Sequence, residues 1–430
     1  MAKYGLAQCA FAALLAGTNL ANAQVSEETA QLLLKELQAL KQEQNRISGR
    51  IEAIERQLGA PIETAGQTPI VQTATIPPNI APSAPQAPAP VSKVNVSGDF
   101  LLRFEGNYSN EDAEDRNRGV LRARLRGAYA PYDFLTVAGL LETGDPDDPN
   151  SGYQTLSDFG DDLDISLSQI YAQFTFGDLS LYGGKIPRPF ISSDIVWDGD
   201  VYPEGAAFIY ERDLADAASL RATGIFFVVD EDTAGADSYM AGGQVALSVA
   251  PTSAWRAQLA AAYFDYTLDS IDGADGGDLR SNLLQPDGSY LSDFDLLDLI
   301  LDVRYTGLGE RWPLQLKADY VKNIDSTSTE DTGYGADIFV GRLTERGDTR
   351  FGLGYAAVET DAVLAAFSND NLTIATNYEV WEFVFDILAQ DRLKLNATWY
   401  HYKPLDAAFA GADDPNDWLD RIRLNMSVSF

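Results

Sequence analysis

The chain ends in RIRLNMSVSF, residues Arg421 to Phe430, and these ten positions alternate without a break. Ile422, Leu424, Met426, Val428 and Phe430 fall on one side of an extended strand, with Arg421, Arg423, Asn425, Ser427 and Ser429 on the other. One such strand fits the edge of a soluble sheet as well as a wall between lipid and water. The segments before it decide between the two.

From Lys93 onward the same alternation recurs in segments of about ten residues, the length of a transmembrane strand. VNVSGDFLLRFEG sets Val94, Val96, Gly98, Phe100, Leu102 and Phe104 against Asn95, Ser97, Asp99, Arg103 and Glu105. GVLRARLRGAY sets Leu121, Ala123, Leu125 and Tyr129 against Arg122, Arg124 and Arg126. Segments starting near 94, 118, 134, 165, 179, 205, 218, 239, 254, 296, 312, 334, 349, 378, 392 and 418 predict about sixteen antiparallel strands, with the one near 205 the weakest pattern. Short links such as APYDF, GD and AQD alternate with long acidic ones such as GDPDDPNSGYQTLSDFGDD. Loop length that keeps step with strand parity is the layout of an outer-membrane barrel, and a β-sandwich has no reason to keep it. The predicted fold is an all-β transmembrane barrel over 93–430, apolar side to lipid and polar side to a water-filled lumen.

The net charge of −33, from 64 acidic against 31 basic residues, excludes nucleic acid as a partner, because phosphate backbones require basic surface. Residues 1–23 carry Lys3, an apolar core from about Leu6 to Ala16 and small residues before Gln24, the parts of a secretory signal peptide. The one cysteine, Cys9, lies in that leader after Gln8, so the mature chain has no thiolate for a disulfide or metal site.

Residues 24–59 read as a periplasmic α-helical coiled coil. Leu37, Gln44, Ile51 and Leu58 follow Ala30 at a positions, while Leu33, Leu40, Ile47 and Ile54 occupy d positions. Glu36 against Lys41 and Arg50 against Glu55 suit a parallel self-association. Residues 60–92, rich in Pro, Ala, Thr and Gln, form a semi-rigid linker.

The stretch LYGGKIPRPFISSDIVWDGDVYPEGAAF, residues 181 to 208, resembles the corresponding part of the bacterial putative-porin family, which joins a leader, a short coiled coil and a β-barrel. Gly184, Lys185, Pro187, Asp194, Trp197, Asp198, Gly199, Asp200, Pro203 and Glu204 carry the likeness. Phosphate-selective porins and related trimeric channels share the arrangement and stay open as relatives. The resemblance implies a homotrimer in the outer membrane, in contact with lipid and lipopolysaccharide. The terminal Phe430 resembles the signal read by the outer-membrane assembly machinery.

The expected function is passive diffusion of small hydrophilic solutes or ions, without a cofactor. By likeness to the third loop of general porins, residues of about 187–204 fold inward and bring Arg188, Asp194, Asp198, Asp200 and Glu204, beside Lys185, to the pore. Closure makes neighbours of the first, second and last strands, so Arg103, Arg122, Arg124, Arg126, Arg421 and Arg423 form one basic wall. Acids facing arginines give a transverse field that selects by size and charge. The same arginines also suit a purely structural role, balancing luminal carboxylates. The alternative function is a structural anchor, with a closed or plugged barrel and the coiled coil as tether. Catalysis has little support, because His401 sits on the outward side and Lys403 stands where outer-membrane phospholipases carry a serine. The acidic stretches DGADGGD and DPDDPN lack calcium-loop spacing and are expected to be solvated.

Overall fold

The computed structural model describes residues 93–109, 115–145, 151–156, 162–233, 235–269, 281–410 and 416–430. The predicted leader, coiled coil and linker, including Leu33, Leu37, Leu40, Gln44, Ile47, Ile51, Ile54 and Leu58, lie outside these residues.

Sixteen strands form the wall. The first eight are β1 (Val94–Tyr108), β2 (Arg116–Tyr132), β3 (Leu135–Thr143), β4 (Ile165–Phe176), β5 (Leu179–Lys185), β6 (Glu204–Ala215), β7 (Ala218–Asp230) and β8 (Ser238–Thr252). The remainder are β9 (Trp255–Thr267), β10 (Phe294–Tyr305), β11 (Leu314–Asn323), β12 (Thr332–Gly341), β13 (Thr349–Val358), β14 (Tyr378–Gln390), β15 (Leu393–Pro404) and β16 (Leu419–Ser429). Each pairs antiparallel with the next, and β16 pairs with β1 from Asp99↔Ser429 to Tyr108↔Asp420, so the sheet closes and no edge is left. An extra two-residue segment, Gln154–Thr155, pairs with Val120 and Leu121 from within the connection 144–164. Every strand begins within two residues of its predicted start, the weak one near 205 included.

Why these residues make a closed wall follows from their two faces. In β8, Met240, Gln244 and Ala246 are buried, while their neighbours Tyr239, Val245 and Leu247 are exposed. Leu125, Leu141, Leu167, Leu259, Leu299, Leu353 and Leu424 extend the exposed apolar face around the barrel. Facing water, such a belt would be unfavourable by about 25 cal/mol per Å². Facing hydrocarbon, it is the stabilising surface. Aromatic rings flank it: Tyr132 and Phe134 stack at 5.4 Å and Trp255 meets Tyr305 at 4.5 Å at one rim, while Phe383 stacks on Trp399 at 5.0 Å toward the other.

Turns and loops segregate by rim. Residues 133–134, 177–178, 216–217, 253–254 and 391–392 are two-residue turns, and they share their rim with both ends of the barrel chain, where Gly98 and Phe430 exchange backbone hydrogen bonds of 3.0 Å. The opposite rim carries the long connections 144–164, 186–203, 268–293, 359–377 and 405–418.

Candidate functional site

The strand register assembles the arginine wall. Glu105 on β1 stands opposite Arg118 on β2 and Arg423 on β16, while Asp99 stands opposite Arg124. Glu105 Oε1 accepts from Arg118 Nη2 at 2.6 Å and its Oε2 from Arg423 Nε at 2.7 Å. Asp99 accepts from Arg124 Nε at 2.9 Å and Arg126 Nη1 at 2.8 Å, with Arg122 Nη2 at 3.7 Å. Arg103 Nε donates to Asn425 at 2.8 Å, and Arg421 Nε donates to Asn107 at 2.6 Å. All six predicted wall arginines therefore stand on adjacent strands, joined by Arg118. Asp99 and Glu105, visible in the sequence only as polar-face residues, are the carboxylates that hold Arg118, Arg124, Arg126 and Arg423. Cross-strand register is the signal that finds these pairs.

Residues 186–203 leave β5 and fold against the inner face. The Ile191 amide donates to the Gln244 side chain on β8 at 2.9 Å, and Ser193 Oγ hydrogen-bonds Asp319 on β11. Farther along, Asp200 Oδ2 lies 3.1 Å from Arg122 Nη1 and its Oδ1 3.4 Å from Arg124 Nη1, both on β2. Since β2 and β11 lie on nearly opposite sides of a sixteen-strand ring, the segment runs across the barrel.

Three of the residues expected to line the pore behave differently there. Arg188 is buried and holds the segment together, donating to the backbone carbonyls of Trp197 and Asp198. Asp194 accepts from Asn371 at 3.0 Å. Burial pushes its carboxyl up to about 6, against the opposing pull of Arg188. Burial also raises Asp198 well above the usual range, with its Oδ1 accepting from the Asp200 amide at 2.8 Å.

Lys185 and Glu204 depart from expectation. They pair with each other at 2.6 Å in direct register, and alternation sets them on the side of Leu181 and Phe208, the outer face. Tyr182 and Ala207 are the inward positions of these strands. The sequence reading carried the inward loop one residue into each strand, and a single step reverses the face.

The lumen also holds an apolar body that the strand pattern does not announce. Residues 359–377 fold inward, and Phe367 stacks on Trp197 with centroids 5.7 Å apart and planes 6° from parallel. Phe190, Phe227, Phe264, Met240 and Leu296 pack around them, all buried. Asp361 fastens this segment, accepting from Ser292 Oγ at 2.7 Å and the Leu283 amide at 3.0 Å, while Asn282 donates to the Val363 carbonyl at 2.9 Å. The run AVLAAF, Ala362–Phe367, inside an otherwise polar connection was the available signal.

Two loop side chains missed in the sequence complete the arginine side. Tyr153 lies with its ring 4.0 Å from the Arg103 guanidinium and accepts from Arg122 Nη1 at 3.0 Å. Asn371 accepts from Arg423 Nη1 through its side chain at 2.6 Å and from Arg421 Nη1 through its carbonyl at 2.7 Å. On the far wall, Lys317 stands in register between Asp302 and Asp337, with Asp298 and Asp319 buried nearby. His401 is outward, stacked on Trp418 at 4.3 Å, with its Nδ1 2.8 Å from Asp420.

The model of a family described as "Putative porin" matches residues 107–276, a span that contains the stretch 181–208. No curated protein matches the sequence. Among solved structures, OprB of Pseudomonas putida at high pH aligns over 79% of this chain and 94% of its own, at 14% identity and a TM-score of 0.52, and so shares the fold. OmpF of Salmonella typhi in complex with daunomycin aligns over 78% and 97% at 11% identity with a TM-score of 0.48. An anion-selective porin from Comamonas acidovorans aligns over 78% and 100% at 13% identity with a TM-score of 0.46.

Proposed function

We propose that this chain is a bacterial outer-membrane porin, a water-filled channel for passive diffusion of small hydrophilic solutes or ions, in which residues 186–203 narrow the lumen against the arginine wall. The observation that carries the reading is the path of that segment, tied to Asp319 on one side through Ser193 and to Arg122 on the other through Asp200. A segment so held would leave solutes a lane along charged side chains, where charge and width would select together. The matching family model and the shared OprB fold support the same class.

The remaining expectations belong to this proposal. Short turns face the periplasm in such barrels, so the coiled coil of 24–59 would lie there and hold a homotrimer. Phe430, 60% exposed beside β1, would be the residue read by the assembly machinery. Lipid and lipopolysaccharide would meet the outer belt.

The apolar packing of Trp197 and Phe367 favours the second reading, a plugged barrel that anchors a tether. Liposome swelling separates the two. Vesicles containing the refolded chain should swell in small neutral sugars, with a rate that falls as the sugar grows. No swelling above empty vesicles would remove the porin and leave the anchor.

A further inference from the structure

The wall's seven arginines, Arg118 included, face five nearby carboxylates: Asp99, Glu105, Asp200, Asp370 and Glu142, the last 3.6 Å from Arg124. Glu105 is occupied on both oxygens by Arg118 and Arg423, and Asp99 is taken by Arg124 and Arg126. Asp200 serves Arg122 and Arg124. Two guanidinium groups are left with neutral partners. Arg103 donates to Asn425 and has its paired carboxylate, Glu105, at 3.9 Å, while Arg421 donates to the Asn107 side chain and the Asn371 carbonyl. Arg103 and Arg421 are 7% and 4% exposed.

A guanidinium taken from water with its counter-charge shared or at a distance is unfavourable, and the net positive field it leaves is relieved when an anion arrives. The surroundings are shaped for one. The Tyr153 ring covers the flat face of Arg103, which directs recognition to the edge of the fork, the part that matches a carboxylate. Asn371, reaching in from residues 359–377, holds Arg421 and Arg423 side by side. Asp370, half-buried next to it, is the nearby loop carboxylate; it makes no direct ion pair with an arginine among the described residues but acts from a distance as a counter-charge to Arg103 and Arg423. Arg118 and Arg126 continue the charge along the wall with side chains 27% and 40% exposed. The far-wall acids Asp298 and Asp319 are only 1% and 8% exposed, near the Ser193 anchor of the inward loop.

We propose that Arg103, Arg421 and Arg423, closed over by Tyr153 and Asn371, form a subsite for the carboxylate group of small organic anions in transit, and that the channel prefers anions. The inference rests on the porin reading and names its solute class.

The test is planar-bilayer recording of the full mature chain in a KCl gradient, with succinate added to one side, beside calorimetric titration of the detergent-solubilised chain with succinate. The reversal potential should lie on the chloride side, and succinate should reduce the chloride current. The double variant Arg103→Gln/Arg421→Gln should lose both effects several-fold. Arg103→Lys/Arg421→Lys, which keeps the charge and the fold but not the fork, should keep the anion preference and lose most of the succinate effect. Asp370→Asn should strengthen the anion preference. A potential on the potassium side, or a succinate block unchanged in the Gln double variant, overturns the proposal. Absence of any current removes the porin reading instead; succinate binding that the double variant abolishes would then keep the subsite, and no binding would remove it as well.

Discussion

Asp200 Oδ2 and Arg122 Nη1 stand 3.1 Å apart, joining a loop that springs from β5 to the wall strand β2. The side chains are each about 10% exposed, so the pair is shielded enough to hold geometry but still flanked by other charges. This contact fastens the end of residues 186–203 nearest the arginines. Removing it with Asp200→Ala should weaken loop docking by about 1–3 kcal/mol, because two arginines lose a charge-assisted partner. Liposome swelling should then admit larger sugars than the parent barrel admits, with the barrel's heat stability unchanged.

The apolar body inside the lumen sets a second expectation. Trp197 and Phe367 stack at 5.7 Å, and Trp197 is fully buried. Replacing either with alanine should destabilise the inward segments by about 3–5 kcal/mol, the usual range for a buried aromatic ring. Amide exchange should rise in 186–203 and 359–377 while the strands keep their protection. Equal loss of protection in the strands would place these rings in the barrel's own stability.

Acidity should tighten the inward loop. Burial raises Asp194 to about 6, above the ordinary carboxylate range near 3.8 that it has when undocked. The docked state therefore binds more protons between these values. Asp194's share makes docking strongest below about pH 4 and weaker as pH rises through 4 to 6, on the order of 3 kcal/mol in full, and Asp198, raised further, continues the loss at higher pH. Exchange of the 186–203 amides should accelerate over that window, and Asp194→Asn should reduce the slope there, leaving the share that Asp198 carries.

At the turn rim the sign is opposite. Asp348 is buried, which alone would raise its carboxyl, yet the amides of Glu345 at 2.9 Å and Thr344 at 3.2 Å and the Arg342 guanidinium hold it below the usual range. Its contribution is present above about pH 4 and is lost as pH falls below its own lowered value. Asp348→Asn should cost about 1–2 kcal/mol at neutral pH and nothing in strong acid. Denaturant unfolding of the two chains at both pH values reads this difference.

Much of this molecule is legible before any coordinates, and the reason is periodicity. A strand with lipid on one side and water on the other must alternate, so each start could be placed to within two residues, and the arginines of β1, β2 and β16 fell together once closure was assumed. Periodicity names a face but not a partner. That is why Glu105 was read as one more polar residue, although the register makes it the shared acceptor of Arg118 and Arg423. The same weakness explains Lys185 and Glu204, which one residue of strand length moves to the outer face. Loops carry no period at all. The Ala362–Phe367 run was the only sign that a second connection turns inward, and the loop residues Tyr153 and Asn371 gave no sign of their place beside the arginines.

The most direct test joins the two ends of the account. The one cysteine is Cys9, so within residues 24–430 the double variant Ser193→Cys/Asp319→Cys introduces the only thiols, at two side chains that touch where the inward loop meets β11. Single-channel recording of this variant with and without reductant should show a disulfide that forms readily and steps of unchanged conductance, because the loop is already where the bond would hold it and the lane runs beside it. Thiols that stay free, or a cross-linked barrel that no longer conducts, would contradict the claim that residues 186–203 narrow an open pore.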